Sequence, residues 1–152
     1  MALQIGDKAP EILGTDQNGN PVKLSDFKGE KLILYFYPKD NTSGCTAEAC
    51  SLRDGYKELK DAGYEVVGVS KDSAKSHQNF ISKQHLPFSL IADTDTQLQQ
   101  LFGVWAEKKL YGKTYMGTLR TTFIINGEGV IERIIGPKEV KTKDHANQIL
   151  NK

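Results

Sequence analysis

The stretch from Leu32 to Leu59 constrains the fold more than any other. Leu32 to Tyr37 is an unbroken aliphatic and aromatic run, of the length and composition of a strand covered on both faces, and Pro38 ends it. Beyond it Ala49, Leu52, Tyr56 and Leu59 recur at spacings of three and four, the core-facing stripe of an amphipathic helix from about Cys45 to Ala62, stopped by Gly63. A buried strand that feeds a helix is the repeating unit of an α/β sheet, and the alternation continues. Tyr64–Ser70 reads as a strand, Ser73 opens a helix to about His85, Phe88–Ala92 is a short strand, and Asp93–Phe102 is a helix ended by Gly103. Thr121–Asn126 and Val130–Ile135 flank Asn126-Gly127-Glu128-Gly129, the strongest hairpin signal in the chain, and Thr142–Leu150 is a final helix. Upstream, Asn18-Gly19 predicts a small hairpin within Glu11–Lys23, and Ser25–Gly29 a capped helical turn. Val104–Leu119 mixes aromatics, lysines and glycines without a period and reads as extended and irregular. The expected class is α/β: a central mixed sheet flanked by helices, with an N-terminal β-hairpin, built as a single domain over residues 1–152.

Both cysteines of the chain lie just past the first core strand, between Tyr37 and Cys50. Cys45 falls where the helix should begin. There a thiol faces unpaired backbone N–H groups and the positive end of the helix dipole, both of which favour the thiolate. That makes Cys45 a candidate nucleophile. Cys50 lies five positions on, a step that in an ideal helix turns the side chain by about 140° and separates the Cα atoms by about 8 to 9 Å. A disulfide needs roughly 7 Å or less. A bond between the two therefore requires part of the helix to unwind, so a redox cycle that uses this pair is also a conformational cycle. The spacing is not the two-residue gap of a thioredoxin-type redox motif.

Charge narrows the partners. The 20 Lys and Arg nearly balance the 19 Asp and Glu, and no basic block points to a nucleic acid or membrane partner. The first residues lack a basic segment followed by a long apolar one, and two closely spaced cysteines are no secreted disulfide framework, so the expected location is cytoplasmic. His77, His85 and His145 are scattered, without ligand spacing to a cysteine, and are expected to be surface or partly buried structural residues. Phe80, Phe88, Phe102, Trp105 and Tyr115 are expected in the core or in a pocket wall.

Pro38, Thr42 and Cys45 together reproduce the Pro-x-x-x-Thr-x-x-Cys signature of the peroxiredoxins. With Cys50 in its place, the chain resembles the bacterioferritin comigratory protein, or Q-type, subfamily, and Arg120 before Thr121-Thr122-Phe123 looks like that family's arginine at the start of a core strand. The likeness runs from about Leu3 to the last helix. It implies a thioredoxin-like fold and a thiol peroxidase that reduces hydrogen peroxide or organic hydroperoxides. It also implies no metal or organic cofactor, and thioredoxin or a similar dithiol protein as reductant. Resolution within one chain needs no second subunit, so a monomer is expected.

The chemistry assigns roles to these residues. A thiol with a pKa of about 8.5 is ~3% thiolate at pH 7, so complete deprotonation raises its rate roughly 30-fold at most. The rest must come from groups that polarise the O–O bond and stabilise the leaving oxygen. The candidates are Arg120, the Thr42 hydroxyl and the Cys45 backbone N–H, with Pro38 walling the pocket and Glu48, one turn past Cys45, orienting Arg120 through a bidentate pair. In the cycle so expected, Cys45 becomes a sulfenic acid, Cys50 condenses with it, and a partner dithiol resets the pair. A different class of function stays open at this point: a redox sensor in which the same disulfide reshapes a binding surface.

Overall fold

The structure is a computed structural model and describes residues 3–151. Its centre is strand β3 (Lys31–Phe36), and the alternation of side chains along β3 divides the interior in two. Ile33, Tyr35 and, just past the strand, Tyr37 face one core; Leu32, Leu34 and Phe36 face the other. β4 (Tyr64–Ser70) and β5 (Ser89–Ala92) add in parallel on one side, and β8 (Thr121–Ile125) and β9 (Ile131–Ile135) add antiparallel on the other. The five-stranded sheet has the order β5-β4-β3-β8-β9.

On the Ile33–Tyr37 face pack α1 (Ser43–Asp54), α2 (Tyr56–Asp61), α3 (Ala74–Gln84) and α5 (His145–Asn151), through Ala49, Leu52, Leu59, Phe80, Ala146 and Ile149. The opposite face is covered by α4 (Gln97–Leu101) and by the N-terminal hairpin of β1 (Ile12–Thr15) and β2 (Pro21–Lys23), through Leu98, Leu13 and Val22. Mixed sheet, flanking helices and N-terminal hairpin are as the sequence predicts. Among the described residues no helix is long and apolar enough to cross a membrane.

Four expectations differ from what folds. The helix predicted from about Cys45 to Ala62 is two helices, broken at Gly55. The apolar stripe runs through the break, so the pattern cannot reveal it. A Cβ on Gly55 would lie 2.6 Å from that of Ala146, and the glycine is what lets α5 approach α1. The helix expected from Asp93 begins only at Gln97, because the Asp93 carboxylate accepts the N–H groups of Leu98 and Gln99 and caps the helix from outside it.

Val104–Leu119 is not irregular. β6 (Trp105–Leu110) and β7 (Lys113–Thr118) form a separate two-stranded ribbon, turned by Tyr111 and Gly112, both in the left-handed region. Much of it is exposed, so no hydrophobic alternation marks it. Tyr115 accordingly lies on the surface and not in the core, and Trp105 is half-buried, whereas Phe80, Phe88 and Phe102 are buried as expected. Finally, His77 and His145 are fully buried and only His85 is exposed. Their burial depends on partners distant in sequence.

Gly68 in β4 is a second close approach. A Cβ there would meet Leu90 Cδ2 at 2.7 Å and Tyr35 Cζ at 2.8 Å. Gly68→Ala should lower stability by about 1 to 3 kcal/mol through overpacking, measured by urea unfolding, and an unchanged midpoint would contradict this packing.

Candidate active site

The sheet delivers the site residues to the carboxyl end of β3. Helix α1 starts at Ser43, with Thr42 extended at its N-cap, so Cys45 is the third helical residue. The first bond of the helix runs from Thr46 N–H to Thr42 O, which leaves the Cys45 N–H among the unpaired donors of the first turn. From the other side, β8 pairs antiparallel with β3 and sets Thr121 opposite Phe36. Arg120, one residue before, therefore arrives where β3 hands over to α1.

The Arg120 guanidinium divides its two amino groups. Nη2 donates to Cys45 Sγ at 3.4 Å and Nη1 to Glu48 Oε1 at 2.7 Å. The Arg–Glu contact is thus single, not the bidentate pair expected, because the second amino group is committed to sulfur. Gly44 makes room for it: a Cβ there would lie 3.2 Å from Nη2. Cys45 itself is 1% exposed and lies in the same core as Ile33, Tyr35, Tyr37, Ala49 and Leu52. Arg120, whose side chain is 20% exposed, is the group that touches the sulfur and also reaches solvent.

Glu48 is fully buried. Burial pushes its carboxyl from the ordinary 4.5 up to about 7, against the opposing charge and hydrogen bond of Arg120. Its second oxygen, Oε2, makes no hydrogen bond and lies 3.5 Å from His145 Nε2. The Tyr35 hydroxyl close by is likewise buried without a partner, and burial, with Glu48 and Cys45 adding to it, raises its pKa well above 10.0 and keeps it neutral.

Of the other predicted residues, Pro38 and Thr42 lie in the loop between β3 and α1, and Cys50 lies within α1. Pro38 is half-buried after β3, and Thr42 is exposed, its hydroxyl donating to Lys39 O at 2.9 Å. Thr42 caps the helix by position and not by a side-chain bond. Cys50 is half-buried, with its thiol donating to Gln84 Oε1 at 3.5 Å. Both thiols are free, and α1 runs unbroken through them, the geometry that keeps their Cα atoms about 8 to 9 Å apart.

Two groups escaped the sequence reading. Asp40 anchors the loop before α1: its carboxylate accepts from the Tyr37 hydroxyl at 2.6 Å and the Ser76 hydroxyl at 2.8 Å and meets His77 Nδ1 at 2.8 Å, while its N–H donates to Asp72 Oδ2 at 2.8 Å. Asp40, Asp72 and His77 bring possible metal-ligating atoms within 4.8 Å of one another, but each already carries these protein hydrogen bonds. The second group is His145, with Thr122 and Gln148, behind Glu48. Nothing in the spacing of these residues marks either group.

Comparison with known proteins sets this geometry in a family. The AhpC/TSA family pattern matches residues 5–134. The chain belongs to the AhpC/TSA family. It is 45% identical over 151 residues to the peroxiredoxin Bcp of Bacillus subtilis, covering 99% of this chain and 94% of that protein. It is 44% identical over 149 residues to the peroxiredoxin Bcp of Escherichia coli K12, covering 98% and 94%. Among solved structures, the bacterioferritin comigratory protein of Xanthomonas campestris, studied as trapped intermediate and ligand complexes for its alkyl peroxide reduction activity, superposes with a TM-score of 0.84. That match has 36% identity and covers 95% of this chain and 96% of that one. As an AhpC/TSA protein of the Bcp and peroxiredoxin Q kind, the chain is a thiol peroxidase with a thioredoxin-like fold, which takes a peroxide as substrate and a thiol as reductant.

The buried carboxyl has a measurable consequence. Because its folded value of about 7 lies above 4.5, Glu48 favours the fold most below about pH 4.5, and that contribution is lost as pH rises through about 7. Urea unfolding at about pH 5 and pH 8 should show the stability of the wild type relative to Glu48→Gln falling by about 2 to 3 kcal/mol with rising pH. A difference independent of pH would contradict the raised value.

Proposed function

We propose that Cys45 is the sulfur that reduces peroxide and that Cys50 resolves it. The observation that carries this reading is the Arg120 contact: a fixed cation 3.4 Å from Cys45 Sγ, beside the unpaired N–H groups of the first turn of α1. The thiolate attacks the terminal oxygen of hydrogen peroxide or an organic hydroperoxide, the S–O bond forms as the O–O bond breaks, and the leaving alkoxide or hydroxide takes a proton. Arg120, the Cys45 N–H and a reoriented Thr42 hydroxyl face the oxygens whose charge grows in that step, and Pro38 limits water at the sulfenic acid.

The first turns of α1 then unwind, the Cys50 thiolate attacks the Cys45 sulfur and expels hydroxide, and the disulfide forms. The Gln84 contact that holds Cys50 is a single weak one, so releasing it costs little. A dithiol protein, thioredoxin or one like it, reduces the disulfide and resets the helix. The chain acts as one cytoplasmic domain and as a monomer, without nucleic acid or membrane partner, since both cysteines are its own.

Coupled turnover with thioredoxin, its reductase and hydrogen peroxide, together with intact mass after one equivalent of peroxide, tests this cycle. Cys45→Ser should lose turnover. Cys50→Ser should take up one oxygen and stop at the sulfenic acid. Full turnover by Cys45→Ser would overturn the reading.

A further inference from the structure

One group of buried side chains that the peroxidase cycle does not use lies against the loop that carries Pro38 and Thr42 into α1. Asp40 and His77 are at its centre, with side chains 1% and 0% exposed. Their hydrogen bonds reach from β3 to β5. His77 Nε2 lies 2.9 Å from the Ile91 carbonyl on β5, and its Nδ1 lies 2.8 Å from Asp40 Oδ2. Asp40 Oδ2 also accepts the Ser76 hydroxyl on α3, Oδ1 accepts the Tyr37 hydroxyl at the end of β3, and the Asp40 N–H donates to Asp72 between β4 and α3.

Donor and acceptor chemistry settles where the hydrogens are. A carbonyl only accepts, so Nε2 donates to Ile91. With that hydrogen alone, the ring would turn its Nδ1 lone pair toward a carboxylate oxygen 2.8 Å away, and the two would repel. The Tyr37 hydroxyl does not relieve this: it is 3.5 Å from Nδ1 and donates instead to Oδ1 at 2.6 Å. One hydrogen therefore lies between Nδ1 and Oδ2, whichever of the two it is bonded to. The ring is hydrogen-bonded at both ends and ties the loop to β5.

That tie acts on α1 through two residues. Asn41, next in the chain, is held in the left-handed region with φ 64°, a conformation that asparagine tolerates. Thr42 follows as the N-cap, with its hydroxyl on Lys39 O, and Cys45 lies in the turn after it. With Asp40 pinned, the cap is fixed, and the first turn of α1 keeps Cys45 against Arg120. We propose that His77 is a positioning residue for the peroxidase cycle: through Asp40 it holds the N-cap of α1, and so sets how readily the turn opens for Cys50 to reach the Cys45 sulfur. The inference rests on the reading of Cys45 as the reacting sulfur and Cys50 as its resolving partner. Oxidation by peroxide uses the closed turn and disulfide formation the open one, so loosening the tie moves the two steps in opposite directions. A general loss of stability does not; it lowers the amount of folded protein for both steps alike.

The test is a single turnover with hydrogen peroxide followed by intact mass. It separates the rate constant for gain of one oxygen at Cys45 from that for the later loss of water, as Cys50 displaces hydroxide from the sulfenic acid and the disulfide forms. Asp40→Ala and His77→Leu should speed the second step about tenfold and slow the first a few-fold. Asp40→Asn should rescue both rates, because its amide oxygen accepts the Tyr37 hydroxyl and its Nδ2 donates the bridging hydrogen to Nδ1 of a neutral His77. In the reduced protein, the amides of Thr46 to Cys50 should exchange about tenfold faster in His77→Leu, with those of Val66 to Val69 on β4 unchanged. In the wild type, ¹⁵N NMR should find a hydrogen on His77 Nε2; a bare Nε2 overturns the proposal, and that result needs no variant to fold. Wild-type resolution rates in Asp40→Ala and His77→Leu, both steps slowed alike, or Asp40→Asn behaving as Asp40→Ala also overturn it. If the wild type still forms its disulfide in these cases, the His77 role alone has failed; if it forms no Cys45–Cys50 disulfide, the reading of the pair has failed, and this inference with it.

Discussion

One guanidinium held between a sulfur and a carboxyl is the interaction on which the rest of the site depends. Arg120 is half-buried, and both its amino groups end on buried partners. A cation in such a place needs counter-charge, and a thiolate in such a place needs a cation. The fold supplies the match by topology. The antiparallel β3–β8 pairing carries Arg120 to the end of β3, α1 sets Cys45 and Glu48 on one face a turn apart, and Gly44 leaves the gap through which the guanidinium reaches the sulfur.

The same arrangement makes the reduced enzyme incapable of forming its own disulfide without moving. Both cysteines lie inside α1, and the loop before it is tied to α3 by Asp40, His77 and Ser76, while α1 just past Cys50 is tied to α5 by the Ala146 N–H donating to Ser51 Oγ at 3.1 Å. The part between these ties, from Thr42 to Cys50, is what must unwind. Helix hydrogen bonds in the first turns are the least expensive to open, and the buried Cys45 sulfur can meet that of Cys50 only when they do. In the cycle we propose, activation of Cys45 belongs to the folded state of the turn and resolution to its melted state.

Much of this was legible in the residues. The continuous apolar run ended by Pro38, the three-and-four stripe through Leu52 and Leu59, and the two Asn-Gly turns each encode local geometry, so strands, helices and hairpins fall near their expected places. Cys45, Glu48 and Arg120 each stand out in the sequence, and the structure brings the three together, although the bidentate Arg–Glu pair gives way to a shared guanidinium. What could not be read depended on distant contacts. The break at Gly55 answers to Ala146, ninety-one positions later by the numbering. The burial of His77 and His145 answers to Asp40, Ile91 and Thr122. The β6–β7 ribbon left no trace because a ribbon standing off the core has no face that must be apolar.

The account is tested most directly by the second-order rate constant for oxidation of Cys45 by hydrogen peroxide in Arg120→Lys. Lysine keeps the charge but offers a single nitrogen, which cannot face sulfur and carboxyl in the same plane. The rate constant should fall by about 100-fold or more while the unfolding midpoint stays close to that of the wild type. A rate within a few-fold of the wild type would show that the divided guanidinium is not what activates the sulfur.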